Sequence, residues 1–261
     1  MTNSDPKAES SPLLTVRGPV ATITLNRPSV RNRLQVEDLH TLLAHFETIQ
    51  NDASVRVCVL TANVWPEKPV FCSGFNLAET GQLNRQVDFA QVVDALENLR
   101  CVTVCAMNGS VYGGATDFAL ACDFAIGQRG MEMRMPAAAI GLHYYPSGIL
   151  RYVTRLGVQN AKLAFLAAEV FSDASLLAMG YVHQLPAPAE FDKTLAQLTE
   201  NLLAVAPMAQ QLLKRSLNEV ARGQYDAAVL LQRQLQTQGS ADFSEGVAAF
   251  AERRKAVFKG L

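Results

Sequence analysis

The chain has 261 residues, of which 49% are apolar, and a formal net charge of −1. This length allows one large domain with a well-buried core, or one domain with a helical extension. The balanced charge, with Lys and Arg spread along the chain, argues against DNA or RNA as a partner. No apolar run approaches the ~20 residues needed to cross a membrane.

The N-terminal third predicts a tail followed by alternating strands and helices. Residues 1–12 are rich in Ser, Pro and charges, so we expect a disordered tail without the features of a secretory signal. The segments LLTVRG and VATITLN predict a hairpin around Gly18 and Pro19. A helix is predicted over QVEDLHTLLAHFETIQ, and VRVCVLTA predicts a strand that is covered on both faces.

The alternation continues in the middle of the chain. We expect a helix over residues 86–99, a strand over VTVCAMNG, a helix from Gly113 and a short buried strand over DFAIG. Strands that alternate with helices indicate an α/β core.

After about residue 156 the apolar stretches have a helical period. Pro207 is at a helix start and Gly223 at a helix end. We predict a core over residues 13–200 and a helical region over residues 201–261. The Leu- and Ala-rich faces of that region must pack on the core or on another subunit, so a monomer is not expected.

The five cysteines are odd in number and lie mostly in apolar contexts; they are Cys58, Cys72, Cys101, Cys105 and Cys122. Buried free thiols in a reducing cytoplasm explain them best. Cys101 and Cys105 lack the CxxC spacing and the companion ligands of a zinc site, so no metal is expected.

Two glycine-containing turns are the first candidates for chemistry. They are FCSGFNL, after a Pro-rich loop, and NGSVYGGATDF, between a buried strand and a helix. Adjacent glycines let a ligand approach the main chain, and the first amides of a helix have no partner inside it. Two such amides from separate turns could form an oxyanion hole, although glycines also serve tight turns and close packing.

Four motifs in chain order resemble the enoyl-CoA hydratase/isomerase (crotonase) family: LNRPSVRNRL, FCSGFNL, NGSVYGGATDFALACDFAI and MPAAAIGLHYYPSGILRYVTRLG. The terminal SADFSEGVAAFAERRKAVFKG resembles that family's closing segment. The resemblance implies a spiral of ββα units followed by a C-terminal helical region that forms a homotrimer, or a hexamer as a dimer of trimers. It also implies an acyl-CoA substrate, with coenzyme A as part of the substrate and no permanently bound cofactor.

The resemblance also implies roles for individual residues. By position in the motifs, the two oxyanion donors are the backbone amides of Phe75 and Gly114. The Phe75 ring and Tyr145 are expected to shape the acyl pocket. Candidate contacts for coenzyme A are two residues near the first motif and two in the tail, namely Arg27, Arg31, Phe258 and Lys259.

The sequence departs from the family's hydratases at their two glutamates. One Glu is expected soon after the glycines and another just after the proline of the fourth motif, where this chain has Asp117 and Ala137. Hydration requires both proton removal and proton delivery, so ordinary hydratase activity is expected to be weak or absent. Asp117 is either catalytic or a carboxylate that stabilises the first turn of its helix.

Polar aromatic groups concentrate in GLHYYPSG, where the family builds its active site. His143 supplies an imidazole, a side chain that can act as an acid or a base, and a tyrosine hydroxyl can donate a proton. Tyr144 is similar in position to a tyrosine of the family's methylmalonyl-CoA decarboxylases. Decarboxylation generates its own carbanion and needs an oxyanion hole and a proton source, so Asp117, His143 and Tyr144 are the candidate catalytic side chains. The alternative is that His143 and the tyrosines form a pocket wall or a subunit contact.

Four hypotheses about the function can be ranked from these residues. The favoured hypothesis is an acyl-CoA enzyme that stabilises an enolate, with decarboxylation or double-bond isomerisation ahead of hydration. Its alternative is a catalytically inactive homologue that binds coenzyme A. RNA binding is disfavoured because no basic stripe is present, and a serine hydrolase at Ser73 or Ser110 is disfavoured because neither lies in a GxSxG turn.

Overall fold

The computed structural model describes residues 9–82 and 88–260. Its strands are β1 (Leu13–Arg17), β2 (Val20–Leu25), β3 (Val57–Ala62), β4 (Val70–Cys72), β5 (Val102–Met107), β6 (Ser110–Tyr112), β7 (Phe124–Gly127), β8 (Glu132–Arg134) and β9 (Val170–Ser172). Its helices are α1 (Val36–Asn51), α2 (Phe89–Glu97), α3 (Thr116–Ala121), α4 (Pro146–Leu166), α5 (Asp173–Ala178), α6 (Phe191–Leu203), α7 (Pro207–Ala221), α8 (Ala227–Gln238) and α9 (Ala241–Glu252).

The strands form two sheets that are built by a repeating unit. The first sheet has the order β1-β2-β3-β5-β7, and the second has the order β4-β6-β8-β9. Each of the units β3-β4-α2, β5-β6-α3 and β7-β8-α4 adds one strand to each sheet and then a helix. The predicted α/β class with a spiral of ββα units and a C-terminal helical region is confirmed.

The strand predicted over VRVCVLTA is β3, and it is covered on both faces as expected. Side chains alternate along a strand, so Cys58 and Leu60 face the main core, where α1 and α2 pack. Val57 and Val59 face the other way and pack with Phe191, the first residue of α6. Helix α6 therefore covers the outer face of the first sheet, and it runs across residue 200, the boundary predicted between the core and the helical region.

The hairpin predicted at the N-terminus is present as β1 and β2, which pair antiparallel. Within the tail predicted over residues 1–12, residues 1–8 lie outside the described residues. The chain at residues 9–12 contacts the body of the protein, because the Ser10 amide donates to the Asn26 carbonyl (3.1 Å) and Glu9 accepts from the Ser29 amide (2.8 Å).

Helix α4, which precedes the helical region predicted over residues 201–261, is interrupted at Gly157, whose backbone lies outside the helical conformation (φ 77°, ψ 155°). Pro207 is the first residue of α7, as predicted. Several large apolar side chains of this region are exposed, including Leu217 (66%) and Phe250 (89%). None of the helices in the described part of the chain is both long and apolar enough to cross a membrane.

Candidate active site

The two predicted glycine turns lie against each other. They follow β4 and β6, which are parallel neighbours, so both turns are at the same edge of the second sheet. A Cβ built on Gly74 would lie 3.0 Å from the Tyr112 carbonyl oxygen and 3.5 Å from the Gly114 nitrogen, so the two main chains are in contact. Gly74 also has a φ of +93°, a conformation that residues with a side chain rarely adopt.

The two predicted oxyanion donors, the backbone amides of Phe75 and Gly114, lie in the first and the second glycine turn. Leu34 bonds to the residues on either side of Phe75, at 2.9 and 2.8 Å, and this parallel-bridge pattern directs the Phe75 amide away from Leu34. Gly114 is the second residue of a one-turn 3-10 helix, whose first amides have no internal partner. Among the described residues, neither amide donates to an acceptor outside its own helix or strand.

An aromatic side chain, Phe89 of α2, covers the second turn. A Cβ built on Gly114 would lie 2.9 Å from its ring. The Phe89 ring centroid is 6.5 Å from that of Phe75 and 6.1 Å from that of Tyr145. Phe75 and Tyr145 therefore surround the same ring, next to the two turns. Their role in an acyl pocket stays a prediction.

Asp117, in the first turn of α3, is fully buried and bound by two neighbours. Arg151 of α4 donates through Nε to Oδ1 (3.0 Å) and through Nη2 to Oδ2 (2.8 Å), and the Tyr145 hydroxyl donates to Oδ2 (2.5 Å). Burial raises the pKa of Asp117, while the guanidinium and the hydroxyl oppose that rise. Both carboxylate oxygens are occupied, which is the environment of a structural anion. A catalytic role for Asp117 stays a prediction.

Asp117 belongs to a set of charges that we call the Arg151 cluster, formed by Asp94, Glu97, Asp117, Arg151 and Arg222. Arg151 Nη1 donates to Asp94 (2.8 Å) and Glu97 (3.0 Å), and Arg222 Nη2 donates to Glu97 (2.6 Å). Burial lowers the pKa of the Arg151 guanidinium, but its carboxylate partners outweigh burial and the net shift is upward. The cluster ties α2, α3 and α4 to the end of α7.

Tyr144 is buried beside the second glycine turn. Its hydroxyl donates to the Tyr145 hydroxyl (3.1 Å) and lies 3.5 Å from the Gly114 carbonyl oxygen. Because Tyr145 donates in turn to Asp117, the three side chains form one hydrogen-bonded chain. Burial raises the pKa of the Tyr144 hydroxyl, and the Asp117 carboxylate adds to this rise. The structure thus brings Tyr144, Tyr145 and Asp117 together next to the glycine turns.

His143 and Ala137 lie differently from the tyrosines. The His143 side chain is exposed, and its Nδ1 lies 2.8 Å from the carbonyl oxygen of Tyr144. Within the described residues it has no hydrogen bond to Asp117 or to either glycine turn. The position where a second Glu is expected from the resemblance holds the buried methyl group of Ala137, which is 3% exposed.

The two arginines near the first motif have different surroundings. Arg27 donates through Nε to both oxygens of the buried Asp38, at 3.1 and 3.2 Å, so its charge is already paired. Arg31 is exposed, and in the described part of the chain its guanidinium makes no hydrogen bond or ion pair. Its carbonyl accepts from the Ser73 amide (3.0 Å), which holds Arg31 beside the first glycine turn. Contact of either arginine with coenzyme A stays a prediction.

The tail residues Phe258 and Lys259 are held by the helical region of their own chain. The backbone amides of Lys259 and Gly260 donate to the buried Asp242 carboxylate, at 2.7 and 2.8 Å. The Phe258 ring lines an apolar cavity of about 420 Å³ together with Phe250. The Lys259 side chain is exposed. Their contact with coenzyme A stays a prediction.

Two residues of this region were not predicted from the sequence, Phe89 and Arg151. A signal for Arg151 was present: Glu97 is the one charged residue among the buried residues of the helix FAQVVDALE, and a buried carboxylate needs a cation. No comparable signal identified Phe89, which lies next to the segment 83–87 outside the described residues.

The chain is similar to known proteins over nearly its whole length. The family model described as enoyl-CoA hydratase/isomerase matches residues 15–261. The chain is similar to 2,3-dehydroadipyl-CoA hydratase of Escherichia coli K12, with 27% identity over 92% of this chain and 95% of that protein. It is also similar to enoyl-CoA hydratase domain-containing protein 2, mitochondrial, of Bos taurus, with 30% identity over 92% of this chain and 84% of that protein. Among solved structures, enoyl-CoA hydratase from Bacillus anthracis has a TM-score of 0.82 and 25% identity, and the match covers 97% of this chain and all of that one.

Proposed function

The chain belongs to the enoyl-CoA hydratase/isomerase family, and from this premise we propose that it binds the carbonyl oxygen of an acyl-CoA thioester with the backbone amides of Phe75 and Gly114. The observation that carries the proposal is the contact between the two glycine turns, 3.5 Å from the Cβ position of Gly74 to the Gly114 nitrogen. Fixed amide donors stabilise the negative charge that develops on such an oxygen without reorganising during the reaction.

Ordinary hydration is disfavoured by the residues at the two positions where the family's hydratases have glutamates. A hydratase needs one group to remove a proton from water and another to deliver a proton to carbon. Asp117 has both oxygens bound by Arg151 and Tyr145, and Ala137 has no proton to move. Ala137 has no carboxylate, and Asp117 is fully buried, so neither position supplies a carboxylate that contacts water or substrate directly.

Decarboxylation of a 2-carboxyacyl-CoA fits the remaining groups best. The bond between the α carbon and the carboxylate breaks, carbon dioxide leaves, and the electron pair moves into the enolate held by the two amides. The Tyr144 O–H then turns from the Tyr145 hydroxyl to the α carbon and gives it the proton, and water returns a proton to the resulting tyrosinate. The proximity of the Tyr144 hydroxyl to Gly114 supports this assignment.

A second candidate is double-bond isomerisation, which needs only one base. The chain of hydroxyls from Tyr144 through Tyr145 to Asp117 favours it, because burial raises the pKa of that carboxyl and makes it a better proton acceptor. In this reaction each hydroxyl passes on its own proton and takes up another, so no residue has to move.

A panel of thioesters followed by mass spectrometry tests the proposal. We expect loss of carbon dioxide from a 2-carboxyacyl-CoA and little water addition to a 2-enoyl-CoA, and isomerisation of a 3-enoyl-CoA would select the second candidate. Replacing Tyr144 by Phe should lower turnover by about 100-fold or more. The matched control is Tyr181→Phe, which also removes a buried tyrosine hydroxyl.

Two results would contradict the assignment. Rapid hydration of 2-enoyl-CoA by the wild type would show that a carboxylate pair is not required. Normal binding of coenzyme A without turnover of any thioester would instead identify a catalytically inactive homologue.

The exposed apolar residues of the helical region support assembly into a trimer, or a hexamer of two trimers. Leu213, Leu217 and Phe250 are 61%, 66% and 89% exposed in the single chain, and such residues are normally covered. Sedimentation equilibrium tests this directly. The five buried free thiols support a reducing, cytoplasmic location.

A further inference from the structure

The amide of Gly114 shares a rigid peptide group with the carbonyl of Gly113. The peptide bond is planar and trans, so the carbonyl and the N–H point in opposite directions. Any group that holds the Gly113 carbonyl therefore also sets the direction in which the Gly114 amide points.

Thr116 holds that carbonyl with two donors. Its hydroxyl Oγ1 donates to the Gly113 carbonyl oxygen at 2.6 Å, and its backbone amide donates to the same oxygen. Thr116 is fully buried, so no water competes for these bonds. A threonine hydroxyl has a single hydrogen, and this hydrogen is used by the bond to Gly113.

Tyr152 of α4 is the next member of this hydrogen-bonded chain. Its hydroxyl lies 2.5 Å from Thr116 Oγ1. Because the hydrogen of Thr116 already points at Gly113, Tyr152 must be the donor in this pair. Tyr152 is fully buried, and its ring is fixed by packing against Phe165, with centroids 4.6 Å apart.

We propose that Thr116 and Tyr152 are positioning residues that aim and strengthen the Gly114 amide as an oxyanion donor, an inference that rests on the proposed function. The Tyr152 hydroxyl polarises the Thr116 hydroxyl, which polarises the Gly113 carbonyl, and the N–H at the far end of that peptide becomes a stronger donor. Hydrogen bonds in such a chain strengthen one another by about 10–30% per bond. Neither side chain touches the substrate.

Tyr181 offers a matched control in the same place. Its hydroxyl is as buried as that of Tyr152, and it donates to the Thr116 carbonyl oxygen at 2.7 Å. That carbonyl belongs to the peptide between residues 116 and 117, which does not include the Gly114 amide. Loss of the Tyr181 hydroxyl removes a similar buried hydrogen bond without touching the proposed donor.

The experiment measures carbonyl polarisation directly. Butyryl-CoA labelled with carbon-13 at its thioester carbonyl is inert as a saturated thioester, and infrared difference spectra report its carbonyl stretch when bound. We expect wild-type protein to move this stretch to lower wavenumber. Tyr152→Phe should lose about 10–30% of that movement, Thr116→Val a larger part, and Thr116→Ser and Tyr181→Phe almost none.

Turnover of whichever thioester the wild type converts gives a second readout. We expect kcat to fall about 2- to 10-fold in Tyr152→Phe and about 10- to 100-fold in Thr116→Val. KM should stay within about twofold, since the amide matters most to the charged state. Circular dichroism shows whether each variant is folded, and Thr116→Ser tests the hydroxyl if Thr116→Val does not fold.

The outcomes separate this inference from the proposed function. If the wild type binds butyryl-CoA without moving the carbonyl stretch, the oxyanion assignment itself fails. If the wild type moves the stretch and folded Tyr152→Phe and Thr116→Val move it equally, Thr116 and Tyr152 have no positioning role. An equal loss in Tyr181→Phe would also overturn the inference, because general loosening would then explain the effect.

Discussion

Replacing Arg151 by Met tests how much the Arg151 cluster contributes to the stability of the fold. Methionine keeps an unbranched apolar stem but removes the guanidinium, which donates to three carboxylates at 2.8–3.0 Å. Glu97 keeps its bond to Arg222, and the Asp94 side chain is 41% exposed, so water stabilises it. Asp117 is therefore the carboxylate left buried without a cation, because its side chain has no exposed surface.

Leaving a buried charge without its partner costs about 3–5 kcal/mol of folding free energy. For a chain of this size, each kcal/mol shifts the melting temperature by about 2–4 °C, so we expect a loss of roughly 6–20 °C at pH 7. Scanning calorimetry at fixed protein concentration measures this, because assembly also affects melting. Arg155→Met, an exposed arginine one turn later on α4, should shift melting by no more than about 2 °C.

The loss of melting temperature caused by Arg151→Met should become smaller as the pH falls from 7 to 5. Burial raises the pKa of Asp117, and Arg151 limits that rise, so the variant has a still higher pKa in the folded state. The unfolded chain holds this carboxyl ionised until about pH 4. The folded variant therefore takes up a proton that the unfolded chain does not, which stabilises the folded form at lower pH.

The double variant Asp117→Asn with Arg151→Met should recover most of the loss, because no unpaired charge remains at residue 117. The reasoning would be refuted by a melting temperature within about 2 °C of the wild type for Arg151→Met. It would also fail if the deficit were the same at pH 5 and pH 7, or if the double variant were as unstable as the single one.

Four further predictions follow from exposure and burial. His143→Gln should keep turnover within about threefold, because His143 is exposed, and a loss of about 100-fold or more would identify it as a catalytic acid or base. Arg31→Ala should raise KM for acyl-CoA about 2- to 10-fold with little change in kcat, and an unchanged KM would remove Arg31 from the coenzyme A contacts. Burial raises the pKa of Cys72 to about 12 and that of Cys101 to about 11, so a colorimetric thiol titration at pH 8 should find no fast-reacting cysteine in native protein and all five after unfolding. Phe250→Glu should shift sedimentation towards a smaller species, whereas an unchanged assembly would place the interface elsewhere.

The order of the main elements could be predicted from the sequence because the spacing of apolar residues differs between helices and strands. Strands β3 and β5 are nearly continuous buried runs, β2 alternates buried and half-buried residues, and α1 repeats its apolar residues at helical spacing. The second sheet was not predicted, because its strands β4, β6, β8 and β9 have three residues each, too few to show an alternating pattern. Their pairing depends on how successive units stack, which is not a local property.

The candidate site also combines local features, which a sequence shows, with contacts between distant residues, which it does not show. The glycine turns are local features, so their positions could be read from FCSGFNL and VYGGATD. The surroundings of Asp117 could not, because Arg151 is 34 residues further along the chain and Tyr145 is 28 residues away. An acidic residue at a helix start looks the same in a sequence whether its carboxylate faces water or a buried guanidinium.

Because main-chain atoms, and not side chains, meet at the junction of the two glycine turns, the two positions there differ in their tolerance of substitution. Residue 75 keeps its N–H with any side chain other than that of proline, so its ring can be exchanged for a smaller or a polar group. A side chain at Gly114 would instead collide with the Phe89 ring at 2.9 Å. On the proposed assignment, random mutation or laboratory evolution at residue 75 can change which acyl group is accepted and leave the handling of negative charge intact. The scaffold can thus acquire new substrates without rebuilding its chemistry.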